Sequence, residues 1–176
     1  NAAGDAFGAN AVDNTVLIGY DAGGAINNAG GSKTVAIGKS ALAALTSGAG
    51  NVAIGWIAGL VATTAAKNTL IGTQAGSSIN GSGDTHNTII GYQAGASLQD
   101  GISNVIIGSL AGDAMTDNDG NIVIGKSAFS VANNGEDYNV VIGGDAGTSI
   151  DHADSDYNVL IGQHAGTGGA AAMISC

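Results

Sequence analysis

Residues 104–112 read Asn-Val-Ile-Ile-Gly-Ser-Leu-Ala-Gly, and residues 121–128 read Asn-Ile-Val-Ile-Gly-Lys-Ser-Ala. The frame they share runs through the chain. With the Gly of each Ile-Gly pair as position zero, it recurs at Gly19, Gly38, Gly55, Gly72, Gly91, Gly108, Gly125, Gly143 and Gly162, with spacings of 17, 18 or 19. Position −1 is Ile and position +3 is Ala in all nine units, and +4 is Gly in seven, with Leu42 and Phe129 the exceptions. Asn leads into the strand in every unit but one, where Lys33 stands in. A unit this short cannot bury a face alone, so stacked units must create the core.

Position −3 is Val, Thr or Ile, so each unit carries a β-branched run of the form Asn-Val-x-Ile-Gly, which favours a strand. Glycine at zero and +4 suits turns, and Ala at +3 suits a tight inside corner. A second short strand is expected near +7, where Ile26, Leu45, Ile79, Leu98, Met115 and Ile150 recur. Glycine density and the lack of a 3.6-residue period exclude helix. The predicted fold is all-β: a parallel β-solenoid of about nine to ten coils of 17–19 residues, with two short strands per coil. Residues 1–176 form one repeat solenoid, with a partial first coil at 1–13, a nine-coil body at 14–166 and a C-terminal strand or junction at 167–176.

Alternation along the strand puts −1 and −3 on one face and −2 on the other. Both faces are apolar. Assigning −1 and −3 to the coil interior leaves Leu17, Leu70, Ile89, Ile106, Val123, Val141 and Leu160 as an exposed stripe. Monomers rarely leave such a stripe wet, so these residues are the expected oligomer interface.

Composition removes several function classes. The 176 residues hold 31 Gly, no Pro, one Cys and four Lys plus Arg, against fourteen acids, for a net charge of −10. Collagen needs proline and Gly at every third position. A basic nucleic-acid surface is absent, and one Cys supports neither a disulfide framework nor a zinc ribbon. The uncharged run from Gly48 to Ala66 is carried in register by the repeat, which argues against membrane insertion. His86, His152 and His164 suggest no nucleophile–base pair, and Gly38-Lys39-Ser40 and Gly125-Lys126-Ser127 lack the upstream glycine of a phosphate loop. No catalytic residue is assigned, and the expectation is no enzyme.

The stretches Lys33-Thr-Val-Ala-Ile-Gly-Lys-Ser-Ala and Asn87-Thr-Ile-Ile-Gly-Tyr-Gln-Ala-Gly resemble the head repeats of YadA-like trimeric autotransporter adhesins. They equally resemble Asn-Thr-x-Ile-Gly-x-x-Ala-Gly repeats of phage tail fibres and bacterial surface fibres. The resemblance covers almost the whole chain. It implies a left-handed β-roll, trimeric, extracellular, on a cell surface or virion. The adhesin heads use a shorter repeat than the 17–19 residues here, so trimer and handedness are implied by the resemblance alone.

The ends suggest a junction. Asn1-Ala-Ala-Gly-Asp-Ala-Phe fits positions +1 to +7, and Ala172-Met-Ile-Ser imitates the strand motif. Two readings stand: a fragment of a longer fibre, or head-to-tail assembly in which Asn1, Ala3, Phe7, Met173, Ile174 and Cys176 form the contact.

Remaining candidates concern ligands. Residues 89–176 hold ten acids and one lysine, whereas 1–88 hold four acids and three lysines. Asp113, Asp117, Asp119, Asp151, Asp154 and Asp156 are the calcium candidates, since hard cations take several oxygen ligands. Neither an EF-hand nor a calcium-roll repeat is present, and solvated acidic loops are the simpler reading. No other cofactor is expected. Tyr20, Trp56 and Tyr92 share position +1 in alternate coils and form a candidate edge for a host glycan or surface protein. An ice-binding face would need a regular Thr column, but −3 is Thr only at Thr69 and Thr88. The expected function is a structural subunit or segment of an extracellular fibre, with itself as principal partner in a homotrimer or filament. An adhesin head or tail-fibre segment is the alternative.

Overall fold

The computed structural model describes residues 14–27, 29–133, 135–152 and 155–168. Nine three-residue strands carry the repeat: β1 (Val16–Ile18), β2 (Val35–Ile37), β3 (Val52–Ile54), β5 (Thr69–Ile71), β7 (Thr88–Ile90), β8 (Val105–Ile107), β9 (Ile122–Ile124), β10 (Val140–Ile142) and β11 (Val159–Ile161). They form one parallel sheet in chain order, so each coil lays its strand beside the last. Register is locked: Ile71 pairs with Ile90, Ile90 with Ile107, and Ile107 with Ile124. The fold is therefore a parallel β-solenoid, as the spacing predicts. A separate pair, β4 (Ala65–Ala66) and β6 (Gly83–Asp84), joins two loops.

The segment around +7 is a hydrogen-bonded turn, not a regular strand. Left-handed backbone at both +2 and +4 curls it, as at Gln93 (φ 53°) and Gly95 (φ 52°). Coil-to-coil bonding continues there all the same, with the Gly95 N–H donating to the Ala111 carbonyl at 2.9 Å. Glycine at zero has a different cause. A Cβ on Gly91 would stand 2.3 Å from the Gly108 carbonyl oxygen, because each coil seats its corner on the next one's backbone.

The faces of the strand are the reverse of the expected assignment. Leu70, Ile89, Ile106, Val123, Val141 and Leu160 lie in the buried core, with Leu17 packed against it, and so do not form an exposed interface. The residues at −1 and −3 point outward. The reason lies at −4, which shares its parity with −2. From Asn51 onward, −4 is a buried asparagine, and from Asn51 to Asn121 its amide reaches backbone carbonyls: Asn104 Nδ2 donates to the Asn118 carbonyl at 2.7 Å. Its Oδ1 accepts the N–H of Asn121 at 2.9 Å, and the pattern repeats from Asn51 to Asn158 as a continuous ladder. In the first two coils Thr15 and Thr34 hold this slot, and Asn14 and Lys33 stand one residue earlier, in left-handed backbone.

The two exceptions at +4 fill space. Leu42 and Phe129 are fully buried despite φ values of 51° and 56°, so packing offsets their backbone strain. Leu42 packs under Gly59, and Phe129 under Gly147, where an added Cβ would meet Phe129 Cδ2 at 3.0 Å.

Candidate association face

Because −2 turns inward, the outside of the nine-stranded sheet is paved by two other columns. One is isoleucine throughout: Ile18, Ile37, Ile54, Ile71, Ile90, Ile107, Ile124, Ile142 and Ile161. The other is β-branched, running from Val16 to Val159 with Thr69 and Thr88 in its middle. Mid-sheet members are half-buried by the coils above and below, while Ile161 on the last strand is 68% exposed. No charged residue interrupts either column. At an inter-strand spacing of about 4.8 Å the strip is about 40 Å long. The sequence reading places these residues inside the coil, and the structure places them outside. The signal that could have placed them outside was the parity of the asparagine.

Two rims border the strip. The rim after the strands, at +1, holds Tyr20, Lys39, Trp56 and Tyr92, all exposed. The three rings lie in alternate coils, about 10 Å apart by strand spacing, and Lys39 Nζ sits 5.9 Å from the Tyr20 ring centre. The structure thus brings Tyr20, Trp56 and Tyr92 to one edge, beside the apolar strip.

The rim before the strands is divided in charge. Lys33, Lys67 and His86 occupy it at −5 in coils two, four and five, and Asp119, Asp137 and Asp156 at −6, one residue earlier, in coils seven, eight and nine. Lys67 pairs with Asp84, whose carboxyl is held below its usual range mainly by that hydrogen bond. The aspartates stack. The N–H of Ile102 donates to Asp119 Oδ1 at 2.7 Å, that of Asp119 to Asp137 Oδ1 at 2.7 Å, and that of Asp137 to Asp156 Oδ1 at 2.8 Å. Burial pushes the Asp137 carboxyl up. The neighbouring charges of Asp119, Asp156 and Asp117 add to the rise, and the Asp119 N–H opposes it. Beside this column Tyr138 and Tyr157 stack at 5.3 Å between ring centres.

The calcium candidates separate into different settings. Asp119 and Asp156 spend an oxygen each on backbone of the preceding coil. Asp117 is exposed next to Thr116, whose hydroxyl it accepts at 3.1 Å. Asp113 lies in the turn after β8, its carboxyl raised chiefly by burial. Asp151 is exposed, and Asp154 lies outside the described residues. Among the described residues, no three His, Cys, Asp or Glu side chains converge as a metal site. His86 and His164 lie on opposite rims and His152 in a loop, so the structure does not bring the histidines together. The junction residues Asn1, Ala3, Phe7, Met173, Ile174 and Cys176 also fall outside the described residues. Among those described, no helix is long and apolar enough to cross a membrane.

No protein family, no curated protein and no solved structure matches the chain.

Proposed function

We propose that this chain is a non-enzymatic structural module of an extracellular fibre, and that it associates with itself side by side through the outward Ile and Val columns. The observation that carries the reading is the uncharged apolar strip, nine strands long, on the outside of a fold whose core is already complete without it. Soluble monomers seldom expose a contiguous apolar patch of this extent, and such patches mark interaction sites. A continuous array of β-branched side chains also suits sheet-on-sheet packing, which places two such faces about 10 Å apart.

Sedimentation of the purified chain, joined to negative-stain microscopy, tests this. Oligomers or filaments are expected, and the double change Ile90→Lys, Ile107→Lys should return the chain to monomer with its circular dichroism intact. A chain that remains monomeric at high concentration would refute it.

The rim that carries Tyr20, Trp56 and Tyr92 favours a second reading, in which that edge binds a glycan or surface protein. The support is that all three rings are about half-exposed, as sugar-stacking faces require. Glycan-array binding lost on Trp56→Ala, with assembly unchanged, is the expected result if the edge binds a glycan.

A further inference from the structure

The sheet face meets a second copy of this chain with its coil order reversed, we propose, so that the basic half of one leading rim lies against the acidic half of the other. This rests on the lateral-association reading above and adds the partner, the orientation and the register.

Two identical faces related by a two-fold axis have two simple arrangements. With the axis along the strands, coil order reverses and the rim before the strands meets its own counterpart. With the axis along the solenoid, coils run in the same order and that rim meets the +1 rim at equal height. The arrangements differ in charge.

In the reversed order, overlapping eight strands sets coil two against coil nine and coil four against coil seven. Lys33 then stands opposite Asp156, and Lys67, which already pairs with Asp84 of its own chain, stands opposite Asp119, so Lys33 carries the charge argument. Each contact occurs twice per pair. On the other rim, Lys39 faces Gln163, and Lys126 faces Thr73, with no like charges opposed. In the same-order arrangement Lys33 faces Lys39 in coil two, also twice, and only Asp119 gains a cation, Lys126. A three-fold assembly about an axis parallel to the solenoid opposes the same rims. The bulky rings do not discriminate, because Trp56 meets a glycine either way: Gly144 in the reversed order and Gly50 in the other. Charge therefore selects the reversed order, at a rim where it governs specificity more than bulk affinity.

Area supports a stable pair. Eight strands at about 4.8 Å, by about five residues across, give about 600 Å² per copy and about 1,200 Å² in all. That reaches the lower bound for a specific interface, about 1,200 Å².

The aspartate column supplies the complementary need. Its stacked carboxylates satisfy backbone donors, and they raise Asp137 by mutual repulsion on top of burial. In this register Asp137 itself lies opposite Gly50, and Lys33 and Lys67 of the second copy stand one coil to either side, whereas the lysines of its own rim are four or more coils away.

The test is sedimentation equilibrium at low salt on the whole chain and two variants, Lys33→Glu alone and Lys33→Glu with Asp156→Asn. Lys33 is exposed, and Asn at 156 keeps the Oδ1 that accepts the Asp137 N–H, so the fold is retained, as circular dichroism would verify. The single change should weaken the dimer about tenfold, as two rim pairs become two repulsions, and Asp156→Asn, which removes the repulsion without remaking the attraction, should restore about half of that loss on a logarithmic scale. In the same-order pair or the three-fold assembly, Lys33→Glu removes a Lys–Lys contact and tightens association. Tightening, or no change, would overturn the reversed order while leaving lateral association standing. A wild-type chain that never associates would overturn both.

Discussion

Substituting Ile106 and Ile107 one at a time by aspartate separates the interior from the outer face, because adjacent residues on one strand meet opposite surroundings. Ile106 is fully buried between Ile89 and Val123 of the neighbouring coils, and its Cδ1 would lie 3.2 Å from a Cβ placed on Gly95. Removing a buried isoleucine costs about 2–5 kcal/mol. A carboxylate in its place has no donor within the apolar column, which adds several kcal/mol more. Against a usual domain stability of about 5–15 kcal/mol, Ile106→Asp should leave no intact solenoid, or one split at coil six. Ile107 faces outward between Ile90 and Ile124 and is only half-buried. Aspartate there forfeits strand preference, about 1 kcal/mol, and leaves the coil folded. Urea unfolding followed by circular dichroism, at a concentration low enough to keep copies apart, gives both values without a contribution from association. Equal losses for the two variants, or a larger loss for Ile107→Asp, would refute the assignment of −2 to the core.

Gly91→Ala should destabilise the fold by about 2–3 kcal/mol, since its Cβ would strike the Gly108 carbonyl and its φ is 143°. Gly144→Ala, where nothing lies within 4 Å, should stay within about 0.5 kcal/mol of wild type, and thermal melts compare the two. The Asp137 carboxyl sits above its ordinary 3.8 in the fold, so the folded chain holds that proton more tightly than the unfolded one. Its charge therefore weighs against the fold above its folded pKa, and the penalty is relieved as pH falls through that value towards 3.8. Asp137→Asn, which keeps an oxygen for the Asp119 N–H, should raise the melting temperature at neutral pH and flatten the gain on mild acidification. A variant whose melting temperature tracks wild type at every pH would count against the repulsive column.

Much of the architecture was legible because a short repeat leaves few options. Nine Ile-Gly pairs at spacings of 17–19 specify stacked coils, parallel pairing and register together. The loops and turns were less legible. Whether the +7 segment would extend or curl depended on left-handed backbone at +2, occupied by residues as unlike as Asp21, Ile57 and His164, so composition carried no signal there. The charge-divided rim was equally hidden. Lys33 and Asp156 are far apart in sequence, and only the fold places them on one edge.

Which face turns inward is written in how the two apolar columns vary. At −2, size fluctuates between coils: Ala36 and Ala53 follow Leu17 and precede Leu70 and Ile89. The small residues coincide with a large one elsewhere, since Leu42 at +4 lies in the chain between Ala36 and Ala53 and is fully buried in the same core. Such trading of volume is what a close-packed interior permits, since it constrains the sum of side chains rather than any one of them. The −1 column does not fluctuate at all. Nine isoleucines in register cannot be a packing requirement of the core, because none of them is in it. Within a single chain, an outward position tolerates almost any strand-forming residue, and polar ones would suit water better. On the proposed reading, uniformity there answers a surface that touches the whole strip at once and repeats with the same pitch. Another stack of the same coils has that pitch, which is why the invariance of −1, more than its hydrophobicity, directs the association reading to a second copy of this chain.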